Sequence, residues 1–405
     1  MNQVFNKTLL ATALAMAITP VAYATNGMAP IGVGQTHKAM GGAAVASPHN
    51  TMSMGTNPAS ASFIANGFDV GLEVFAPKRE ASFPASIAGP MAGTYDANDT
   101  AAFLVPEGGY KKSLSNGLSL GVVVYGNGGM NTDYKPAFPG ATGTGGGTNP
   151  PPEKAGMNFM QVFVSPTISK KFGDNHSVGL SVNLVAQSFE STGIITPGST
   201  DADTATGVGA TIGYMGKLSS TTMVGFSHRM KTSMGGFDEN APLFNGATSP
   251  NPGVAPGTVT DGTMDVPGAT TLGVSFDLGS KTTVAMDLQR IHYSKVDAIH
   301  DGFSWDDQDV VKLGVKHQLN NKVALLAGVN YGESVVTPKN AMKNVLAPAV
   351  IETHLTLGAD VALKKNSNLS VVYMHAFENT VTGVGNTAAL TMSQDSIGVG
   401  YSKKF

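Results

Sequence analysis

VGLSVNLVA, residues 178–186, places Val178, Leu180, Val182, Leu184 and Ala186 on one face of an extended chain and Gly179, Ser181 and Asn183 on the other, with Gln187 continuing the polar row. Side chains alternate across a strand, so a period of two marks a sheet with one apolar and one polar face. The pattern recurs. Leu355, Leu357, Ala359, Val361 and Leu363 alternate with Thr356, Gly358, Asp360, Ala362 and Lys364; Leu272, Val274, Phe276 and Leu278 with Gly273, Ser275 and Asp277; and Val284, Met286 and Leu288 with Ala285, Asp287 and Gln289.

In a membrane barrel, Asp287 and Asp360 must face the lumen, because a carboxylate against lipid is costly. In a soluble sandwich the apolar face would turn to a core and the acids to water, so alternation alone leaves both architectures open. The number of runs separates them. Strand-like runs fall near 67–82, 101–112, 118–129, 157–172, 177–192, 206–219, 221–234, 268–279, 282–296, 310–319, 322–334, 352–364, 367–381 and 393–405, fourteen in all. An even number returns both chain ends to the periplasmic side of a bacterial barrel. Tight turns such as Gly173-Asp174-Asn175-His176, Ser219-Ser220, Gly279-Ser280 and Asn320-Asn321 contrast with long Gly- and Pro-rich connections at 140–154 and 235–267, as a barrel requires.

Composition agrees. Charged residues make up 13% of the chain, against about 25% in soluble proteins. Beyond residue 24 no stretch approaches the roughly 20 consecutive apolar residues of a membrane helix. Fifty glycines with abundant Thr, Ser and Val suit strands and turns. A net charge of −3 gives no reason to expect nucleic acid or an anionic membrane surface as a partner. Residues 1–24 read as a signal peptide: Lys7 closes a basic region, Thr8 to Ile18 form a short apolar core, and Ala22-Tyr23-Ala24 is a cleavage site. An exported chain without cysteine must find its stability elsewhere, and a closed barrel supplies it.

Between cleavage site and first strand lie residues 25–66, which end near MGTNPASASF (54–63) and carry Lys38 as their only full charge. Disordered tails are rich in charge, Pro, Ser and Glu. This segment instead carries Met28, Ile31, Val33, Met40, Val45, Met52, Met54, Phe63 and Ile64, a composition that favours packing as a plug in the lumen. The run Thr25-Asn26-Gly27, Gly32-Val33-Gly34, Met40-Gly41-Gly42-Ala43 and Asn57-Pro58-Ala59 resembles the N-terminal hatch of the FadL family, outer-membrane transporters of long-chain fatty acids and aromatic hydrocarbons. Asp301-Gly302-Phe303-Ser304-Trp305, Ala327-Gly328-Val329-Asn330-Tyr331 running into Val335-Val336-Thr337-Pro338, and Val371-Val372-Tyr373-Met374-His375 resemble family segments in the same order.

The resemblance implies an all-β chain: a 14-stranded antiparallel transmembrane barrel (67–405) in the outer membrane of a Gram-negative bacterium, with the hatch (25–66) inside. It implies passive uptake of hydrophobic compounds through a loop groove, a deeper pocket and a gap in the wall, with release sideways into the membrane. Phe138, Leu243 and Phe244 in long loops are candidates for capture. Met28, Met40, Met54 and Phe63 are candidates for the substrate path, core packing being the alternative for each Met. The family's kinked third strand points to Tyr125-Gly126-Asn127-Gly128-Gly129, and Pro106 and Pro166 on neighbouring strands each lack a ladder donor, together suggesting a lateral opening at Gly126, Gly128 and Gly129. Pro58 fixes a turn and forces Asn57 extended, leaving its amide free to bond inward-facing polar groups. Where the family uses a charged gate pair, this chain offers Gln187 and Glu333, with Asp360 as a further polar contact for the hatch.

Lys38 or Arg229 would partner a carboxylate cargo, the alternative for His228-Arg229 being a solvated strand end. Phe405 resembles the terminal aromatic read by the barrel-assembly machinery, although Lys403 departs from the usual apolar residue. Outer-membrane lipid and lipopolysaccharide are the expected surroundings, and a monomer the expected state. The histidines lack metal-ligand spacing, no Gly-x-Ser-x-Gly element occurs where a nucleophile elbow would be, and Gly207-Val208-Gly209 lies within a strand-like run. The chain therefore reads as a channel without metal or cofactor rather than an enzyme, against the alternatives of an open porin, a lipid hydrolase or an adhesin.

Overall fold

The computed structural model describes residues 25–141, 153–194, 199–243 and 262–405. The signal peptide and Phe244 lie outside the described residues. Strands run in the order β1 (Gly67–Phe83), β2 (Gly93–Asp96), β3 (Phe103–Ser113), β4 (Leu118–Tyr134), β5 (Ala155–Phe172), β6 (His176–Thr192), β7 (Asp203–Lys217), β8 (Thr222–Arg229), β9 (Ala269–Leu278), β10 (Thr282–Ile291), β11 (Gln308–Gln318), β12 (Val323–Gly332), β13 (Thr353–Leu363), β14 (Ser367–Thr382) and β15 (Ala389–Lys404). From β3 to β15 each strand pairs antiparallel with the next, β1 pairs with β3, and β15 returns to β1 from Gly67↔Lys404 to Ser82↔Ala389, closing a 14-stranded ring. The short β2, not foreseen from the sequence, folds back on the end of β1 outside that ring.

Parity decides what faces where. Val178, Leu180 and Val182 are exposed on the outer wall, while Ser181, Asn183 and Asp287 are buried inside. Lipid thus meets an apolar band and the polar row meets the lumen. The seventh run departs from expectation: β8 stops at Arg229 rather than 234. Beyond it the chain turns inward, where Thr232 and Met234 are buried over Gly207 and Gly209, whose missing side chains leave the space.

Residues 25–66 fill the lumen and are mostly buried. Their seat is lined by strand glycines. A Cβ at Gly213 would stand 2.1 Å from Asn57 Oδ1, one at Gly225 2.0 Å from Val45 O, and one at Gly328 2.1 Å from Gly41 N. The hatch comes closest where the wall lacks a side chain. Gly328→Val is therefore expected to cost about 1–3 kcal/mol by overpacking and lower the thermal unfolding transition. Gly173→Asn, in an open turn at φ 57°, a conformation asparagine tolerates, should leave the transition unchanged.

Above the hatch, at the end carrying the long loops, Met28 and Ala29 join one large apolar cluster with Tyr134, Phe159, Tyr293, Trp305 and the loop residues Val345 to Ile351. Loop 333–352 is pinned across the mouth: Tyr134 Oη donates to Val345 O (2.6 Å) and Trp305 Nε1 to Asn344 Oδ1 (2.7 Å).

Candidate functional site: the hatch, its lock and the open seam

A one-turn helix, Gln35–Lys38, follows Gly34, whose φ of 88° suits glycine alone. It delivers Lys38 Nζ against Glu73 of β1, with Glu107 Oε2 of β3 at 3.8 Å. Glu107 also accepts from Gly34 N and Gln35 Nε2, both at 3.1 Å. Lys38 is the one Lys, Arg, Asp or Glu of the hatch. A single buried cation thus joins the hatch to two adjacent strands of the wall.

Asn57 makes a second attachment. It is extended (φ −142°, ψ 110°) before Pro58, as proline requires. Its Nδ2 donates to Val45 O (2.8 Å) and to Tyr214 O of β7 (3.0 Å), and its Oδ1 accepts from Ala59 N (3.0 Å), capping the 3-10 turn Pro58–Ser62. Ala59 lies buried against the Gly179 facet. Asn57→Ala removes one cap and two carbonyl partners, about 1 kcal/mol each. Hydrogen exchange of amides 44–60 should speed up by one to two orders of magnitude while strand amides keep their protection.

The ladder between β3 and β4 is incomplete. β3 pairs with β1 along Phe103–Lys111 but with β4 only from Ser113↔Ser119 to Gly108↔Val124. On this side β4 runs unpaired from Tyr125 to Met130, about 20 Å at strand rise. Across the same stretch β4 keeps its ladder to β5 with a bulge between Gly126 and Gly128, and Gly129 N donates to Met28 O of the hatch at 3.3 Å. The top of the opening is framed by Arg79, which reaches from β1 to Asn131 O (2.6 Å) and Oδ1 (2.7 Å) and to Thr100 O (2.7 Å). Behind it lies a packed apolar cluster of Ile31, Phe75, Phe103, Val105 and Met374, with Met160 against it. Glu107, the hatch anchor, stands at the sill.

A small polar cavity of about 60 Å³ lies between the hatch turn Ala29–Val33 and the opposite wall, lined by Asn127, Arg229, Thr271, Gln289 and Lys312. Arg229 Nη1 takes Asn127 Oδ1 (2.5 Å) and Lys312 Nζ takes Ile31 O (2.9 Å). Arg229 Nε is buried with no acceptor. Neither cation forms an ion pair among the described residues.

Several expected residues fall elsewhere. Pro166 keeps its register with Val122 of β4, and the ladder it interrupts is the one to β6, between Val164↔Leu184 and Thr167↔Ser181. It therefore does not border the opening, whereas Pro106, just past the last β3–β4 pair, does. Glu333 is exposed beyond β12 and only its carbonyl is used, accepting from Gln308 Nε2 at 2.8 Å, so it is not a lumen contact. Gln187 donates to Met264 O (2.9 Å), above the hatch rather than on it. Asp360 touches the hatch, accepting from Thr36 Oγ1 (3.3 Å) and from Lys316 Nζ (2.6 Å). Met28 belongs to the mouth cluster, Met40 packs between β12 and β14 with Leu326 and Val372, and Met54 sits beside Tyr125 at the seam. Phe63 is half-buried at the other end, with Lys171 and Lys217 ammonium groups over its ring at 5.6 and 5.9 Å, and so off the path. Phe138 is buried in the mouth rather than open to capture. Lys38 is engaged by the wall and Arg229 lines the cavity, so neither is a solvated end.

Glu73, Glu107, Arg79 and Lys312 escaped the sequence reading. The parity that turned Asp287 and Asp360 inward applies to all four: Glu73, for example, stands between Leu72 and Val74, both exposed on the outer wall.

Solved structures share this fold. The Pseudomonas putida toluene transporter TodX aligns with a TM-score of 0.69 at 18% identity, covering 93% of this chain and 99% of that one. The Ralstonia pickettii toluene transporter TbuX gives 0.66 at 17%, with 93% and 99% covered, and a Pseudomonas aeruginosa FadL homologue 0.67 at 14%, with 94% and 100% covered. No curated protein sequence matches the chain. The sequence profile described as outer membrane protein transport protein (OMPP1/FadL/TodX) matches residues 14–403, and the chain belongs to that family.

Proposed function

We propose that this outer-membrane barrel takes up amphipathic hydrophobic molecules with an anionic head, long-chain fatty acids above neutral hydrocarbons, and releases them sideways between β3 and β4. The unpaired edge of β4 carries the reading. Backbone groups without a ladder partner in a lipid-facing wall are costly, and a gap backed by Ile31, Phe75, Phe103 and Val105 offers an apolar chain a route that avoids water. Exposing that chain to water would cost about 25 cal/mol per Å², so a wet pore would not serve it. The apolar mouth cluster, which includes Met28, and the apolar cluster behind the seam are the proposed route from the loops to the seam. An open porin is disfavoured by the hatch, whose buried residues occupy the bore. The relatives named for toluene show that the fold serves neutral cargo. Here Arg229 and Lys312, two cations sharing a cavity the size of a head group, favour a carboxylate.

Family membership supports a channel rather than a catalyst. Phe405, exposed beside Tyr110 with ring centroids 6.1 Å apart, is the proposed handle for the assembly machinery. The barrel is proposed to work as a monomer within lipid and lipopolysaccharide.

The test compares oleate with toluene binding in the purified protein. Hydrogen bonds to a charged group contribute about 1.5–3 kcal/mol, so R229Q/K312M should weaken oleate at least tenfold and leave toluene within twofold. Equal losses for both, or none, would remove the anionic head from the reading.

A further inference from the structure

The two ends of the barrel differ in the balance of their exposed charges. At the end bearing the short turns and both termini of the ring, Lys217, Lys281, Lys322, Lys364, Lys365 and Lys404 are exposed, and the exposed carboxylates there are Asp174 and Asp277. Asp277 Oδ1 is already taken by Thr283 Oγ1 at 2.7 Å. Among the described residues the one carboxylate ion pair at this end is Lys316 with Asp360, which faces the hatch. Lys170 and Lys403 donate to the carbonyls of Asn116 and Lys365, partners that neutralise nothing. The opposite end exposes Asp96, Asp99, Asp201, Asp238, Asp301 and Asp306. That end also exposes Lys78, Lys135, Lys231, Arg290, Lys295 and Lys339, but there Lys135, Lys231 and Arg290 pair with Glu153, Asp265 and Asp309 and carboxylates abound, whereas the short-turn collar sets six exposed lysines against two exposed carboxylates.

Depth is set independently. Leu218, Leu278, Leu319, Leu363 and Phe405 are exposed on the outer wall, and each stands within three residues of a collar lysine. Phe68 and Tyr401 (6.1 Å), Tyr110 and Phe405, and Phe172 form an aromatic belt at the same height. Such belts mark the boundary between hydrocarbon and headgroups. The lysines begin where the apolar wall ends, and their flexible stems let the ammonium groups reach the phosphate level from there.

We propose that this collar binds the phosphodiester headgroups of anionic phospholipids in the periplasm-facing leaflet. Cations at that height without carboxylate partners match a surface of fixed negative charge. An ammonium near an anionic membrane surface gains about 1 kcal/mol, roughly a fivefold change in affinity per lysine.

The test places the whole purified protein in nanodiscs of equimolar phosphatidylglycerol and phosphatidylethanolamine, and reads the lipids retained on the barrel by native mass spectrometry. Phosphatidylglycerol should be enriched several-fold, and the enrichment should fall in 0.5 M salt. K364Q/K365Q/K404Q should weaken phosphatidylglycerol retention at least about tenfold. K217Q/K281Q/K322Q, on other turns, should do the same and covers the case in which the first variant fails to fold. Equal retention of the two lipids by the native protein, as expected of a collar built for an acidic periplasmic protein, would overturn the proposal. So would enrichment that survives in a folded variant of either kind.

Discussion

Lys38→Met should unseat the hatch. The substitution keeps most of the side-chain volume but leaves Glu73 and Glu107 facing each other across β1 and β3 with no cation between them, both buried. Removing one partner of a buried ion pair costs about 3–5 kcal/mol, because the remaining charge stays desolvated. Here that cost falls on the docking of residues 25–66 and not on the ring, whose ladders do not involve Lys38. The undocked population should rise about 10²- to 10⁴-fold. In planar bilayers the native protein should be nearly silent and K38M should show frequent large openings. The triple variant K38M/E73Q/E107Q, with no charge left to bury, should return toward the native trace. Silent K38M channels would mean that the hatch is held chiefly elsewhere, with Asn57 the next attachment to break.

Bridging the seam should stop uptake. The chain has no cysteine, so a pair placed at Pro106 and Gly126, on facing edges just beyond Gly108↔Val124, would react alone. A bis-thiosulfonate reagent long enough to span the gap would tie β3 to β4 through disulfides. Fatty acid uptake by vesicles or cells should then fall to the background without protein and recover when dithiothreitol cuts the bridge. Reversibility separates a blocked exit from a damaged fold. Uptake that continues through a bridged seam would place the exit elsewhere in the wall or through the base of the lumen.

Much of this was readable from residues alone, for identifiable reasons. A period of two, repeated at strand length, survives any ambiguity of loop structure, so the ring and its inward acids were legible. The packing of residues 25–66 was legible because they are apolar with one full charge, and their role as a hatch followed from the resemblance of their Gly-rich run and Asn57-Pro58-Ala59 to the family. The bulge at Gly126 to Gly128 was legible because glycine at a strand bend is a local signal. Pro166 was misplaced because the neighbour left without a donor depends on which edge the nitrogen faces, and that is set by register against β6. The lock was missed because Lys38, Glu73 and Glu107 meet only when β1 and β3 are aligned and the hatch is folded between them. Phe63 was misplaced because an aromatic residue near the hatch carries no mark of its height. Lys171 and Lys217, which hold it at the rim, come from two other strands.

The Cβ-free facets of the lumen wall make leader and cylinder a casting and its mould. Each knob, the backbone at Gly41 and Val45 and the side-chain amide of Asn57, has one hollow at one height, and a methyl group anywhere along those hollows would close it. A leader transplanted from a relative would arrive with its knobs at other heights, so exchange between family members should yield leaky chimaeras even where both parents share the ring.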